Sequence, residues 1–145
     1  MTRQAQRQRT TKETQVDLAV NVDGSGQVEV STGLPFFDHM IAQLGKHSRL
    51  DLTVRCEGDI DIDAHHTVED VGIALGEAFG EALGDKQGVR RFASMTVPLD
   101  EAAVEVVLDL SGRPFCTTTS TRLAKKFWET HPLTRSCAKN SGARL

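Results

Sequence analysis

The sequence predicts an α+β fold in which antiparallel sheets carry helices packed on one face. Three observations predict it. Short runs such as "QVDLAVNV" and "DLTVRCEGDIDID" alternate apolar with polar residues, the period of a half-buried strand. In two longer stretches the apolar spacing lengthens to that of a helix. Asp- and Gly-containing tetrads and triads mark the joints between them. The order is ββαββα, a half-repeat, followed by one further hairpin.

Residues 1–9 are expected to be a flexible N-terminus, with the domain over 10–115. The opening "MTRQAQRQRTTKET" is basic and has no apolar centre, so it does not read as a secretory signal. "QVDLAVNV" and "GQVEVST" are joined by Asp23-Gly24-Ser25-Gly26 and read as a first hairpin. In "LPFFDHMIAQLGKH", Phe37, Met40, Ile41 and Leu44 form a helical stripe over residues 35–46. Pro35 suits the first turn and Gly45 a stop. "DLTVRCEGDIDID" reads as a second hairpin turning at Glu57-Gly58-Asp59.

A longer helix is expected over 65–84. Val68, Val71, Leu75, Ala78, Phe79 and Ala82 trace its apolar face, Asp63 caps its start and Gly84 ends it. Gly72, Gly76 and Gly80 recur every fourth residue, which suits close helix-on-helix packing; Glu77 and Glu81 exclude a membrane span. "RFASMTVPLDE" and "AAVEVVLDLSGRP" form the last hairpin, turning near Asp100-Glu101. After Phe115 no period is sustained, and residues 116–145 are expected to be a divergent basic tail.

The bulk composition agrees with a globular chain. Its 145 residues favour one domain, or two small halves sharing a core. Aromatic residues make up 5% with no Tyr, so the core is aliphatic. A net charge of −3 gives no reason to expect nucleic acid as a partner. Residues 1–115 hold 11 Lys/Arg and 19 Asp/Glu, whereas residues 116–145 hold 6 and 1. Cys56, Cys116 and Cys137 form no CxxC pair, and reduced thiols in the cytoplasm are the simpler reading. No apolar run reaches the length of a bilayer span, so no membrane partner is expected.

The chemistry concentrates in "DAHHTVED", residues 63–70. On a helix His65 and Glu69 share a face, and His66 points about 100° away. The two imidazoles therefore suit two different ions, and imidazole with carboxylate suits Mn, Fe, Zn or Ni. The plainer alternative is a solvated helix start whose acids serve the helix dipole. His39 lies beside the first helix's apolar stripe, either as a satisfied histidine or as a ligand; His47, eight residues on, reads as surface. Arg91 and Arg113 fall at points that a hairpin brings to one end of a sheet, where two guanidiniums suit a phosphate. Surface charge is the competing reading.

"RTTKET", "STGLPFFDHM", "DIDAHHTVEDVGIALGEAFGEALGD" and "PLDEAAVEVVLDLSGRP" resemble imidazoleglycerol-phosphate dehydratase of histidine biosynthesis. The resemblance covers residues 9–115. It implies a hydro-lyase that converts imidazoleglycerol phosphate to imidazole acetol phosphate. It also implies a ribosomal protein S5 domain 2-like fold, two Mn²⁺ per site and a 24-subunit homo-oligomer in the cytoplasm. By the same resemblance His39, His65, His66 and Glu69 are metal ligands. Glu13 contacts the glycerol hydroxyls, and Glu13, His65 and Glu69 are catalytic. Gln43 and His47 belong to a substrate-contacting stretch, and Arg91 and Arg113 hold the phosphate. The family's second half carries an Asn-x-His-His-x-x-Glu block, a further ligand His, and a Lys and a Ser for the phosphate. This sequence has no such block after Phe115, which points to a truncated or frame-shifted chain, and so to an inactive metal-binding fragment or an oligomer-forming module as the alternative function.

Overall fold

A computed structural model describes residues 3–100 and 102–118. The chain divides into two compact units, residues 1–86 and 87–145. In the first, strands β1 (Gln4–Thr10), β2 (Thr14–Asn21), β3 (Val28–Ser31) and β4 (Asp51–Gly58) form one sheet in the order β1-β2-β4-β3. Helix α1 (Pro35–Ser48) packs on β3 and β4, and helix α2 (Ala64–Leu83) lies across β1, β2 and β4.

The core follows from the strand period. Val16, Leu18 and Val20 of β2 stand opposite Cys56, Val54 and Leu52 of β4, and all six are buried. They meet Ile41 of α1 and Val71, Ala74, Ala78 and Ala82 of α2. The alanines bring the α2 backbone close to the sheet, with Leu75 and Phe79 half-buried at the margin. The buried stripe is thus rotated from the expected one: Ala74, Thr67 and Asp70 are inside, and Val68 is only half-buried.

Four local expectations are corrected. The flexible N-terminus expected over residues 1–9 does not hold for Gln4–Thr10, which is β1 and pairs with β2 from Gln4↔Asn21 to Thr10↔Gln15. An edge strand is held by its backbone, so "QAQRQRT" needs only Ala5 on the core face. The first hairpin is therefore β1–β2. Residues 23–26 form no hairpin; β3 crosses over to pair with β4, and in parallel. Asp51 fixes that crossover by accepting from the Ser25 and Gln27 amides at 2.8 and 2.9 Å, which holds its carboxyl below the usual range.

There is also no second hairpin at 57–59. β4 ends at Gly58, and Ile62 N donates to Asp59 O at 2.8 Å in a turn leading into α2, with Ile60 and Ile62 exposed. Finally, α1 passes through Gly45 and ends at Arg49, in the left-handed region at φ 60. Gly45 is a packing residue instead: it is buried, and a Cβ there would lie 2.5 Å from Val28 Cγ2.

The ends of α2 agree with the sequence. Asp63 accepts from His65 N at 2.9 Å, and Gly84 caps the C-terminus with its N–H on Glu81 O. Gly72, Gly76 and Gly80 do not meet another helix; among the described residues nothing lies within 4 Å of a Cβ built on them.

The second unit holds the hairpin of β5 (Phe92–Leu99) and β6 (Ala102–Asp109), paired from Phe92↔Asp109 to Leu99↔Ala102. Its side chains are exposed along both strands among the described residues. The tail expected over 116–145 falls outside the described residues beyond 118.

Two glycines in helices give opposite predictions. Gly45→Ala gains helix propensity but collides with Val28 and Leu52, and should destabilise by about 1–3 kcal/mol. Gly76→Ala meets nothing and should stabilise by about 0.8–1 kcal/mol. Urea unfolding midpoints check both; equal gains at the two sites would remove the packing role given to Gly45.

Candidate functional site: the Glu13 turn and the start of helix α2

Asp70 on the first turns of α2 is buried, and it fixes the β1–β2 turn. One oxygen accepts from Arg9 Nε at 2.8 Å; the other accepts from Thr14 Oγ1 and from Thr11 Oγ1 at 3.2 Å. Burial alone would raise the Asp70 pKa. The bonds from Thr14, Arg9 and Thr11 outweigh burial and hold the carboxyl below its usual range. Thr11 Oγ1 also accepts from the Glu13 and Thr14 amides at 3.2 and 3.0 Å. The "RTTKET" block is thus a folded turn anchored on Asp70, and it leaves the Glu13 side chain exposed at its tip.

The histidines stand two and one residues before α2's first buried position, Thr67. His65 Nε2 lies 3.4 Å from Glu69 Oε2, the expected i,i+4 pair. His66 turns its Nδ1 to Asp59 instead, at 3.0 and 3.1 Å from the two carboxylate oxygens. The two rings are 5.9 Å apart and inclined at 68°. The bond from Asp59 raises the His66 pKa above the ordinary imidazole value, with smaller contributions from Glu13 and Asp63. Asp59 N donates to Glu13 O at 3.1 Å, so the turn, the Asp59 corner and the helix start form one connected surface.

Helix α1 carries the other expected residues. His39 is exposed, and Gln43 Oε1 bonds His47 Nε2 at 2.9 Å on an exposed face. Among the described residues no three His, Cys, Asp or Glu side chains stand close enough together to hold a metal ion. The structure therefore joins His65 to Glu69 and His66 to Asp59, without gathering His39, His65, His66 and Glu69 into one cluster.

Arg91 and Arg113 flank the same end of the β5–β6 hairpin, just before Phe92 and shortly after Asp109. Arg91 Nε donates to Asp109 Oδ1 at 2.7 Å and its guanidinium lies over the Phe92 ring. The Asp109 carboxyl is held down by Arg91 and, more weakly, by Arg113. The hairpin thus pairs the Arg91 guanidinium with Asp109 directly, while Arg113 acts on that carboxylate only through its charge.

Sequence reasoning missed Asp59, Asp70, Thr11, Thr14 and Arg9. The sequence pattern puts Asp59 at the turn of a hairpin and gives Asp70 no role of its own. The usable signal for Asp70 was its position: it precedes Val71 on the buried face.

Imidazoles at a helix start, a carboxylate turn beside them and a mixed four-stranded sheet behind define an α+β protein with a cluster of ionisable side chains on one surface. The family model described as imidazoleglycerol-phosphate dehydratase matches residues 32–139, and the chain belongs to that family. The match runs past Phe115, into the segment expected to diverge.

An imidazoleglycerol-phosphate dehydratase of Acidothermus cellulolyticus is 60% identical over 113 residues, covering 78% of this chain and 55% of the relative. One of Parafrankia sp. is 58% identical over 116 residues, covering 80% and 60%. The crystal structure of the Staphylococcus aureus dehydratase aligns at TM-score 0.67 and 34% identity, covering 81% of this chain and 66% of that one. The Pyrococcus furiosus structure, in complex with (S)-C348, aligns at 0.58 and 28%, covering 91% and 74%. The chain spans little more than half the length of the curated relatives it matches.

The Asp70 anchor has a pH signature. Its folded pKa is lowered, so its stabilisation is complete above the ordinary carboxylate value of about 3.9 and is lost as pH falls through the lower folded value. Asp70→Asn should lower stability by about 2 kcal/mol at pH 7, with a smaller difference from the parent near pH 3. Urea midpoints at the two pH values check this; an unchanged difference would show that the charge of Asp70 is not what holds the turn.

Proposed function

We propose that this chain supplies the first half of an imidazoleglycerol-phosphate dehydratase, a cytoplasmic hydro-lyase of histidine biosynthesis. The observation that carries the reading is 60% identity over 113 residues to a curated dehydratase, in a chain whose Glu13 turn is tied to the His65–His66 helix start. The substrate is imidazoleglycerol phosphate and the product imidazole acetol phosphate. The reaction removes a poorly acidic proton from C2 and expels a poor leaving group, hydroxide, from C3.

Glu13, exposed at the tip of an anchored turn, is placed to take or return the C2 proton. Arg91 and Arg113 hold the phosphate in this reading, with Asp109 bonding the Arg91 guanidinium until the anion arrives. Gln43 and His47, bonded to each other, contact the substrate from α1.

His39, His65, His66 and Glu69 would hold Mn²⁺, two per site. The donor set fits: neutral imidazoles with a carboxylate suit this ion, and His66 has its Nδ1 engaged by a carboxylate, as ligand histidines do. When bound, the metal supplies Lewis acidity at the imidazole ring of the substrate. Among the described residues no three such side chains stand together, so a complete site draws on further groups. A 24-subunit homo-oligomer, in which neighbouring subunits contribute those groups, is the assembly this reading implies.

A second reading is an inactive metal-binding fragment or oligomer-forming module.

The test is purified chain with Mn²⁺ and imidazoleglycerol phosphate, following the acetol phosphate. The chain alone should turn over far more slowly than the ordinary enzyme rate of about 1–10³ per second. Fusing the second half of a curated relative after Phe115 should restore turnover, and His65→Ala should abolish it. A fused enzyme that stays inactive would overturn the assignments on this half.

A further inference from the structure

We propose that Asp59 is a positioning residue. It fixes His66 as the Nδ1–H tautomer, leaving Nε2 as the lone-pair nitrogen, and its backbone ties the Glu13 turn to the same point.

Three observations support this. Both Asp59 oxygens lie at bonding distance from His66 Nδ1, 3.0 and 3.1 Å. A carboxylate only accepts, so a neutral imidazole bonded in this way must carry its proton on Nδ1. The Asp59 corner is itself held: its carbonyl accepts from Ile62 N at 2.8 Å and Asp63 N at 3.3 Å, and its amide donates to Glu13 O at 3.1 Å. The neighbouring histidine is handled differently. His65 turns Nε2, not Nδ1, toward a carboxylate, at a longer 3.4 Å and with both side chains more exposed. Two adjacent imidazoles therefore present opposite ring nitrogens to their carboxylates.

The consequence for ion binding rests on the reading under Proposed function; the tautomer does not. A carboxylate behind the ring orients it and raises the basicity of the other nitrogen, and removing such a partner from a ligand histidine weakens metal affinity about 10–100-fold.

The experiment uses the full chain, ¹⁵N-labelled at histidine and free of metal, at about pH 9 where imidazole is neutral. Multiple-bond ¹H–¹⁵N spectra report the tautomer of each ring. His66 should be the Nδ1–H form in the parent chain. Asp59→Ala should release it to the mixture of free histidine, while Asp59→Asn should retain Nδ1–H through its amide oxygen. Asp61→Ala removes the same charge from the same turn and should change nothing at His66. In a second measurement, Mn²⁺ binding followed by electron paramagnetic resonance should weaken at least about 10-fold in Asp59→Ala, with Asp59→Asn in between.

An Nε2–H ring in the parent chain, or an unchanged Nδ1–H ring in Asp59→Ala, overturns the inference. Mn²⁺ binding that is indifferent to His66→Ala sinks the metal reading instead, and the spectra then decide the role of Asp59 alone.

Discussion

The buried carboxylate of Asp70 is the interaction on which the arrangement of this half depends. A buried carboxylate is unfavourable unless every oxygen is bonded. Here Thr14 and Thr11 satisfy one oxygen and Arg9 the other. The three donors come from the end of β1 (Arg9), the turn (Thr11) and the start of β2 (Thr14), so satisfying the charge closes the turn. The same bonds seat that turn on α2 one residue beyond Glu69. A requirement of burial thus brings a carboxylate from one end of the chain to two histidines more than fifty residues away.

A second layer of the same logic lies at the Asp59 corner. Its backbone reaches the Glu13 carbonyl, while its side chain reaches the His66 ring. The turn carrying Glu13 is therefore held from two sides, by a side-chain network at Asp70 and by a backbone bond at Asp59. Precise placement of an exposed side chain requires support of this kind, because a polar tip on a short turn has little packing of its own.

Both helices, the Asp63 cap and the β5–β6 hairpin were legible in the sequence because each has a local signal: a period, a cap or a turn. The His65–Glu69 pair was legible for the same reason. What was not legible depends on partners far away in the chain. β1 was hidden because an edge strand needs few apolar residues, and "QAQRQRT" has one on the core face. Residues 23–26 look like a hairpin turn, but β2 already has β1 on one side and β4 on the other, so β3 had to go elsewhere. Ile60 and Ile62 alternate as a strand would, yet the bonds of Asp59 take that stretch into a turn. Gly45 was misread because its use is to let Val28 and Leu52 approach, which no local spacing reveals.

The parallel pairing of β3 sets an order of assembly. β1 and β2 join across a short turn and need little chain closure. β4 arrives only after α1 has been traversed, a longer loop with a larger entropic toll. β3 has four residues and, among the described residues, a single hydrogen-bonded neighbour, β4, although it precedes that strand in the chain. It is made early and docked late. Until β4 is in place, Val28 and Val30 have no strand to lie beside, and α1 has no groove in which to seat Gly45.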